Sequence, residues 1–447
     1  MDRFNGHIVT CVAAKTRVRL QCDRLQVLRN EATGSAIGPR RAPVSLRANF
    51  ASTLASNVVL AASQWALLVL ITKLGTSELL GSYAFALALV TPIAMFSHLN
   101  LRSVLATDTD RRHPFGDYLA VRLATTAVGL AAIAVLALAG ERGRESVAVI
   151  MALGVTLSAE NVSDVYFGLL QRRERMDQVA CSVTARGMLS VAGLGAALWM
   201  TGSLVWAVVA LAAVRIGVLL AYDIPVASAG ESMERTSVSV EAGILRTSLP
   251  LGAVLMLIAL TSSLPRYAIE QKLGAGALGA FAAVASLMGV GSTAVNALGQ
   301  AATPRLARYH SARDRAAFSR LAWQLVGMAL LLGAAGVAAA AALGPWFLGW
   351  IYRPAYAAYA GLLVWVMAAG IGSYTAGALG YVITSTRSFL PQAPLHAAVA
   401  VSASIASWVL VPRLGLSGAA LALAISSVTQ IAGDLIILRS ALREVAA

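Results

Sequence analysis

Residues 79–100 have the sequence LLGSYAFALALVTPIAMFSHLN, a stretch that contains no aspartate, glutamate, lysine or arginine. An α-helix rises about 1.5 Å per residue, so about 20 apolar residues cross the ~30 Å hydrocarbon core of a bilayer. Apolar segments that are buried inside soluble domains are usually shorter than this. The stretch therefore predicts a helix that spans a membrane.

Similar apolar stretches follow one another along the chain beyond Leu46, separated by short polar breaks. None of them shows the alternation of polar and apolar residues that marks a β-barrel strand. We predict an all-α integral membrane protein with about twelve transmembrane helices. The predicted stretches cover residues 48–72, 79–100, 117–140, 147–170, 178–200, 203–222, 246–270, 276–300, 317–343, 356–383, 390–411 and 416–438.

The composition excludes several other classes of protein. Hydrophobic residues make up 58% of the 447 positions and charged residues only 13%, whereas a soluble domain carries about 25% charged residues. The mean hydropathy is +0.73. An ordinary soluble enzyme, a disordered chain and a coiled coil are all incompatible with these values.

The basic excess, a formal net charge of +14, has a topological explanation. If the N-terminus is cytoplasmic, the inside segments hold 25 lysines and arginines and the outside loops hold 6. Membrane proteins retain basic residues on the cytoplasmic side. We therefore predict cytoplasmic N- and C-termini, and no nucleic-acid partner.

An internal repeat divides the chain into two halves. The motif Lys73-Leu-Gly75 ends the first stretch, and Lys272-Leu-Gly274 ends the seventh, 199 positions later. The motif Leu80-Gly81-x-Tyr83 is answered by Leu278-Gly279-x-Phe281, one residue out of phase. Two six-helix halves in the same orientation predict parallel repeats about an axis along the membrane normal. The alternative is that similar turns recur by chance.

The expected organisation follows from the repeat and the polar segments. Two six-helix bundles cover 47–222 and 244–438, with a cytoplasmic linker at 223–243 and a cytoplasmic tail at 439–447. Residues 1–46 are polar and basic without a long apolar run, which predicts a disordered cytoplasmic tail or an artefact of the assigned start site.

Four arginines fall inside the predicted helices, where an ionisable group is costly and indicates a functional site. They are Arg122, Arg186, Arg215 and Arg266. Arg186 lies about 12 Å from the cytoplasmic end of its helix. Arg266 lies near the outer end of its helix, and its alternative role is to extend its charged group to the interface. Arginine suits diphosphate recognition because its planar fork binds phosphate oxygens bidentately.

Carboxylates accompany these arginines. Glu160, Asp164 and Gln171 share one face of the fourth predicted helix. Glu160 or Asp164 could pair with Arg186 or Arg122, or either carboxylate could couple transport to an ion gradient, and the sequence leaves both options open. Glu270 lies one turn beyond Arg266, where pairing and coupling are again the alternatives.

No catalytic or metal-binding motif is present. The five histidines are scattered, the three cysteines form no CxxC pair, and neither a P-loop nor a GxSxG motif occurs. We predict a protein that is not an enzyme and that has no cofactor, with H⁺ or Na⁺ as a coupling ion to be considered.

With these motifs and buried arginines, the chain resembles the O-antigen-type polysaccharide flippases of the multidrug/oligosaccharidyl-lipid/polysaccharide exporter superfamily. Four blocks between about 48 and 438 carry the resemblance. They are Lys73-Leu-Gly-(x)4-Leu80-Gly-x-Tyr83; Leu99-Asn-Leu-Arg102 with Thr107-Asp108 and Tyr118-x-x-x-Arg122; Asp164-x-x-x-Gly168-Leu-Leu-Gln171-x-x-Glu174-Arg-Met176 with Arg186-Gly187; and Pro265-Arg-Tyr267-x-Ile-Glu270-x-x-Leu-Gly274 with Ala297-Leu-Gly-Gln300 and Pro304-Arg-Leu306.

The resemblance implies two six-helix bundles facing each other in a V, and a portal involving helices 1 and 7. It implies alternating-access transport of a polyprenyl-diphosphate-linked oligosaccharide to the outer leaflet, for O-antigen, capsule or exopolysaccharide synthesis. Membrane lipids and the polysaccharide polymerase machinery are the implied partners. Carried onto this sequence, Arg102, Arg122, Arg186 and Arg266 contact the diphosphate or sugars. Asp164 and Gln171 line the cavity or its gate.

Three other functions fit the sequence less well. A drug or cation antiporter of the same superfamily would need an acidic cavity, whereas arginines dominate here. A membrane glycosyl polymerase or ligase would build its site on a large outer loop, and the predicted outer loops are short. A structural scaffold has no need of deep arginines.

Overall fold

The computed structural model describes residues 46–108, 113–140, 142–229, 236, 238–386 and 391–444. Within these ranges the chain is helical and contains no strand. The predicted tail 1–46 lies outside the described residues except for Leu46. The last three residues of the predicted tail 439–447 also lie outside them.

The helices group into twelve spans that are long and apolar enough to cross a membrane, which confirms the predicted number. The spans are α1 (Leu46–Leu74), α2 (Ser77–His98, extended by Leu101–Thr107), α3 (Phe115–Ala139), α4 (Arg144–Arg172), α5 (Met176–Thr201), α6 (Leu204–Val218, Leu219–Asp223 and Ile224–Ser228), α7 (Val238–Leu273), α8 (Ala275–Ser286 and Met288–Ser311), α9 (Arg315–Ile351), α10 (Pro354–Tyr359 and Ala360–Ser385), α11 (Gln392–Leu414) and α12 (Leu416–Glu444).

The two helices that flank the predicted linker are longer than their apolar stretches. The sixth stretch was expected to end at residue 222, but α6 passes through a π-helical turn at Leu219–Asp223 and continues to Ser228. The seventh helix begins at Val238 rather than near 246. Asp223 does not end α6 because its carboxylate accepts a hydrogen bond from Ser182 on α5, at 2.5 Å.

The two halves, α1–α6 and α7–α12, pack their helices in the same order. In the first half the main contacts join α1–α5, α5–α6, α4–α6, α3–α4, α2–α4 and α2–α3. In the second half they join α7–α11, α11–α12, α10–α12, α9–α10, α8–α10 and α8–α9. Each pair in the first list corresponds to one in the second after a shift of six helices. The contact pattern therefore confirms the internal repeat.

The halves meet closely where α2 and α8 begin. A Cβ atom on Gly81 would lie 1.8 Å from the carbonyl oxygen of Ala275. A Cβ atom on Gly279 would lie 1.8 Å from the carbonyl oxygen of Ser77. These are equivalent contacts in the two repeats, and only glycine allows the two backbones to approach this closely. We call this end of the molecule, where α1 joins α2 and α7 joins α8, the closed end.

The distribution of hydrophobic cores differs between the two ends. At the closed end one core contains residues of both halves, among them Ile71, Leu80, Leu278 and Phe281. Towards the other end two separate cores occur. One belongs to the first half apart from the start of α7, and the other belongs to the second half. The halves stay joined where α2 packs along α7, whereas α1 and α8 are in limited contact.

Candidate functional site

A group of four polar side chains assembles where α2 is interrupted. Leu99 and Asn100 both adopt left-handed backbone conformations, with φ of 50°, so the chain turns before it resumes as a helix at Leu101. The turn directs His98 and Arg102 to the same residue of α4. His98 Nε2 lies 2.9 Å from Asp164 Oδ2, and Arg102 Nη1 lies 3.4 Å from Asp164 Oδ1. Arg102 Nε also donates to Gln171 Oε1 at 3.0 Å.

Arg122 lies next to this group and is completely buried. Its Nη1 donates to the carbonyl oxygen of Ser97 at 3.0 Å, and Asp164 lies within electrostatic range. The Nε and Nη2 atoms of Arg122 have no hydrogen-bond partner among the described residues. A buried donor without a partner is destabilising, so this guanidinium retains unused capacity to bind an acceptor.

Arg186 and Arg215 extend the cluster across α5 and α6. Arg215 forms an ion pair with Glu160 of α4, and Arg186 lies close enough to Arg215 to repel it. The guanidinium of Arg186 lies 5.4 Å from the ring centroid of Phe167, and that of Arg102 lies 5.8 Å from the same ring. Phe167 therefore links the two cationic groups through cation–π contacts.

Asp223 supplies a further negative charge on α6. It is buried, and its Oδ1 accepts a hydrogen bond from Ser182, one turn before Arg186 on α5. Arg186 also lies within its electrostatic range. Ser182, Arg186 and Ser190, which share one face of α5, are all buried.

The resulting cluster is rich in arginine and only partly neutralised. The cluster contains four arginines and three carboxylates, those of Glu160, Asp164 and Asp223, and a fourth carboxylate, Asp117, is buried at the start of α3. The Nε atoms of Arg122, Arg186 and Arg215 are all buried without hydrogen-bond partners. Charged, desolvated guanidinium groups with free N–H donors are suited to binding an anion such as a phosphate.

Arg266 and Glu270 lie apart from this cluster, on α7. Both are half-buried, and no ion pair joins them among the described residues. Arg266 makes no hydrogen bond to any described residue, whereas its neighbour Tyr267 donates to the carbonyl oxygen of Ala88 on α2 at 2.6 Å. The ion pair between Arg266 and Glu270 that the sequence left open is therefore not formed in this structure.

Sequence reasoning missed three members of the cluster. Asp223 follows Arg215 by eight residues, so the two share one face of α6. This spacing would have indicated Asp223 if the predicted helix had been extended beyond residue 222. Phe167 follows Asp164 by three residues on the same face of α4. His98 left no signal, because the break at Leu99 and Asn100 removes the helical spacing between His98 and Arg102. Among the described residues no group of three or more histidine, cysteine or acidic side chains is placed to hold a metal ion.

Comparison with known proteins gives a consistent family relationship. Residues 46–310 match the family described as "Polysaccharide biosynthesis protein". The capsular polysaccharide biosynthesis protein CapF of Staphylococcus aureus is 24% identical over 382 residues, which cover 85% of this chain and 95% of CapF.

Solved structures share the fold at low sequence identity. An inward-facing multidrug resistance MATE family transporter of the MOP superfamily superposes with a TM-score of 0.73 at 14% identity, covering 87% of this chain and 96% of the other. The lipid II flippase MurJ in an inward closed conformation superposes with a TM-score of 0.68 at 10% identity, covering 89% of each chain. These similarities confirm the fold of two six-helix bundles.

Proposed function

We propose that this chain, which belongs to the polysaccharide biosynthesis protein family, is a flippase for a polyprenyl-diphosphate-linked oligosaccharide. The lipid-linked glycan is moved from the cytoplasmic to the outer leaflet for assembly of a surface polysaccharide. The protein works by alternating access and without enzymatic chemistry.

The observation that carries the proposal is the distribution of cores. One core joins the halves at the closed end, and two separate cores occupy the other end. Packed cores resist gradual deformation and favour discrete arrangements. Each half can therefore rock as a unit, so that the closed end opens when the other end closes, as the parallel repeats of other transporters do. The present arrangement corresponds to the state that admits substrate from the cytoplasm.

The arginine cluster supports a diphosphate as the transported headgroup. Arg122 and Arg186 are buried and retain free N–H donors. A diphosphate offers oxygens that guanidinium groups bind bidentately. The binding compensates the cost of the unsatisfied donors, and the polyprenyl tail remains in the bilayer throughout.

Individual roles follow from position. Arg102, Arg122 and Arg186 bind the diphosphate or the first sugars in the first half, and Arg266 receives the headgroup on the second half. Asp164 and Gln171 orient Arg102, because both contact its guanidinium. Glu160 or Glu270 provides the coupling carboxylate if H⁺ or Na⁺ drives the cycle.

The closed end faces the outside in this proposal. The inside segments then carry 25 lysines and arginines against 6 outside, a distribution that supports cytoplasmic termini in a bacterial inner membrane. The glycan leaves at the outer leaflet, where polysaccharide polymerase machinery consumes it.

A drug or cation antiporter of the same superfamily is less consistent with the site. Such a protein needs carboxylates that are free to bind a cation. Glu160 is paired with Arg215, and Asp164 is shared by His98 and Arg102. The two carboxylates of α4 are therefore not free to bind a cation.

Reconstitution into liposomes tests the function. A labelled polyprenyl-diphosphate sugar is placed in one leaflet, and its appearance in the other is followed for the wild type, Arg186→Ala and Arg266→Ala. Arg320→Ala, at an exposed position near the start of α9, is the matched control. We expect transport by the wild type and by the control, and at least roughly tenfold slower transport by the two other variants, the loss expected for a charge-assisted contact.

Two results would argue against the proposal at different levels. Equal transport by all four proteins would remove Arg186 and Arg266 from the path and leave the flippase standing. Absence of glycolipid transport together with efflux of cationic dyes would identify an antiporter.

A further inference from the structure

A cavity of about 510 Å³ lies at the closed end, away from the arginine cluster. Its walls come from both halves: α2, the loop between α3 and α4, and the start of α4 contribute from the first half, and the end of α7 contributes from the second. The proposed transport function uses only one of its lining residues, Glu270, as a candidate coupling carboxylate, and assigns no ligand to the cavity.

A cation projects into the cavity from the first half. The guanidinium of Arg142 folds back over the end of α3, where its Nη1 donates to the carbonyl oxygen of Leu136 at 2.9 Å. It also lies 5.6 Å from the ring centroid of Phe85. Gly140 makes the fold possible, because a Cβ atom there would lie 2.4 Å from Arg142 Nη1. The Nε and Nη2 groups of Arg142 make no hydrogen bond to described residues and are available to a ligand.

An anion lines the same cavity from the second half. Glu270 is half-buried, and its Oε2 is buried without a hydrogen-bond partner. No ion pair joins Glu270 to Arg142 or to any other cation in the described ranges, although both line the cavity. A carboxylate removed from water without a partner is costly, so a bound cationic group would stabilise it.

The remaining lining residues suit an amphiphilic ligand. Phe85 and Tyr267 meet edge to face across the two halves, with ring centroids 6.3 Å apart. Ser82, Ser146 and Gln271 add hydroxyl and amide groups. The charged positions lie near the membrane surface, since Arg142 is in the loop between two spans and Glu270 is three residues from the end of α7.

We propose that this cavity binds the headgroup of a zwitterionic phospholipid, with the phosphate on Arg142 and the ammonium group near Glu270. A ligand that carries both charges neutralises the two opposed side chains, which a purely anionic lipid cannot do. Membrane lipids are present at this depth at high local concentration, so a modest affinity is enough.

Because the cavity lies between the two halves, a bound lipid should affect the conformation of the protein. Arg142 and Glu270 belong to different halves. A headgroup that bridges them therefore stabilises the conformation in which the halves are packed together at the closed end. By linkage, a ligand that binds one state more tightly shifts the population towards it. Zwitterionic lipid is therefore expected to favour this conformation over one in which the halves separate at this end.

Binding to the purified, delipidated full-length protein tests the proposal without any transport assay. Native mass spectrometry and thermal unfolding are used with phosphatidylethanolamine, phosphatidylglycerol and glycerophosphoethanolamine. We expect phosphatidylethanolamine to bind about fivefold more tightly than phosphatidylglycerol, the preference expected from one extra ion pair near a surface. Glycerophosphoethanolamine shows whether the headgroup alone is sufficient.

Variants locate the effect. Glu270→Gln should abolish the preference for phosphatidylethanolamine while leaving phosphatidylglycerol binding unchanged. Arg142→Ala should weaken both lipids, and Arg142→Lys should retain part of the binding if the alanine variant is unstable. Arg144→Ala and Glu145→Gln, exposed in the same region, are the matched controls and should behave as the wild type.

Equal binding of the two lipids, or an unchanged preference in Glu270→Gln, would overturn the assignment. Binding of a free neutral oligosaccharide that Glu270→Gln removes would also overturn it, because the cavity would then be a glycan subsite. None of these outcomes depends on whether the protein flips a lipid-linked glycan.

Discussion

The two halves of the molecule have the same framework and different interiors. Their helices contact one another in the same order, and Gly81 and Gly279 make equivalent contacts across the repeat. The buried charged side chains, in contrast, are concentrated in the first half. Among the described residues these are Asp117, Arg122, Arg186, Arg215 and Asp223 in the first half and Asp434 in the second. The repeated pattern provides the architecture, and the unrepeated charges provide the chemistry.

The last helix of each half illustrates the difference. Asp223 on α6 accepts a hydrogen bond from Ser182 and lies within range of Arg186. Asp434 on α12 has Gln430 as its side-chain partner, and among the described residues no cation acts on it. The aspartate of the first half belongs to a charge network, whereas that of the second half stands outside one.

Substituting the glycines at the closed end should have the largest effect. In Gly81→Ala the new Cβ would overlap the backbone oxygen of Ala275, and backbone atoms cannot move aside cheaply. We expect the closed end to open and transport to fall to background. Spin labels on α2 and α8 report the separation, and Gly217→Ala, where nothing lies within 4 Å, is the control. An unchanged distribution of distances between the spin labels would show that the closed end tolerates a side chain at position 81.

Breaking the ion pair of the first half should have the next largest effect. Arg215→Ala leaves Glu160 partly buried without its cation, which should lower the free energy of unfolding by about 3 kcal/mol. The double variant Arg215→Met, Glu160→Gln removes both charges and should recover most of the loss. Unfolding in detergent by urea measures both. A double variant as unstable as the single one would contradict the role of charge.

The equivalent removal of charge in the second half should have the smallest effect. Asp434→Asn keeps the shape of the side chain and removes a carboxylate that has no cationic partner among the described residues. We expect the thermal midpoint to stay the same or to rise. A fall comparable to that of Arg215→Ala would mean that the second half also contains a charge network.

The framework was accessible from the sequence because length and repetition encode it directly. Twelve apolar stretches predicted twelve spans, and Lys73-Leu-Gly75 with Lys272-Leu-Gly274 predicted the repeat. The burial of Arg186 and Arg215 was also predicted, since both lie deep inside apolar helices. The roles of Arg102, Arg122, Arg186, Arg266, Asp164 and Gln171 in transport remain predictions.

The partners of these residues were not accessible, because they depend on how helices distant in the sequence are placed. Glu160 pairs with Arg215 of α6, although the arginines considered for it were Arg122 and Arg186. His98 reaches Asp164 only through the left-handed turn at Leu99. No spacing along a single helix contains such information.

A reversible cross-link at the closed end tests the central claim most directly. A Cβ atom on Gly276 would lie 3.8 Å from Ser77 Oγ, a separation compatible with a disulfide between Ser77→Cys and Gly276→Cys. The pair is introduced after Cys11, Cys22 and Cys181 are replaced by serine, and glycolipid transport is measured in liposomes. We predict that oxidation stops transport, that reduction restores it, and that each single-cysteine variant is insensitive to both. Full transport with the cross-link completely formed would contradict alternating access through this end.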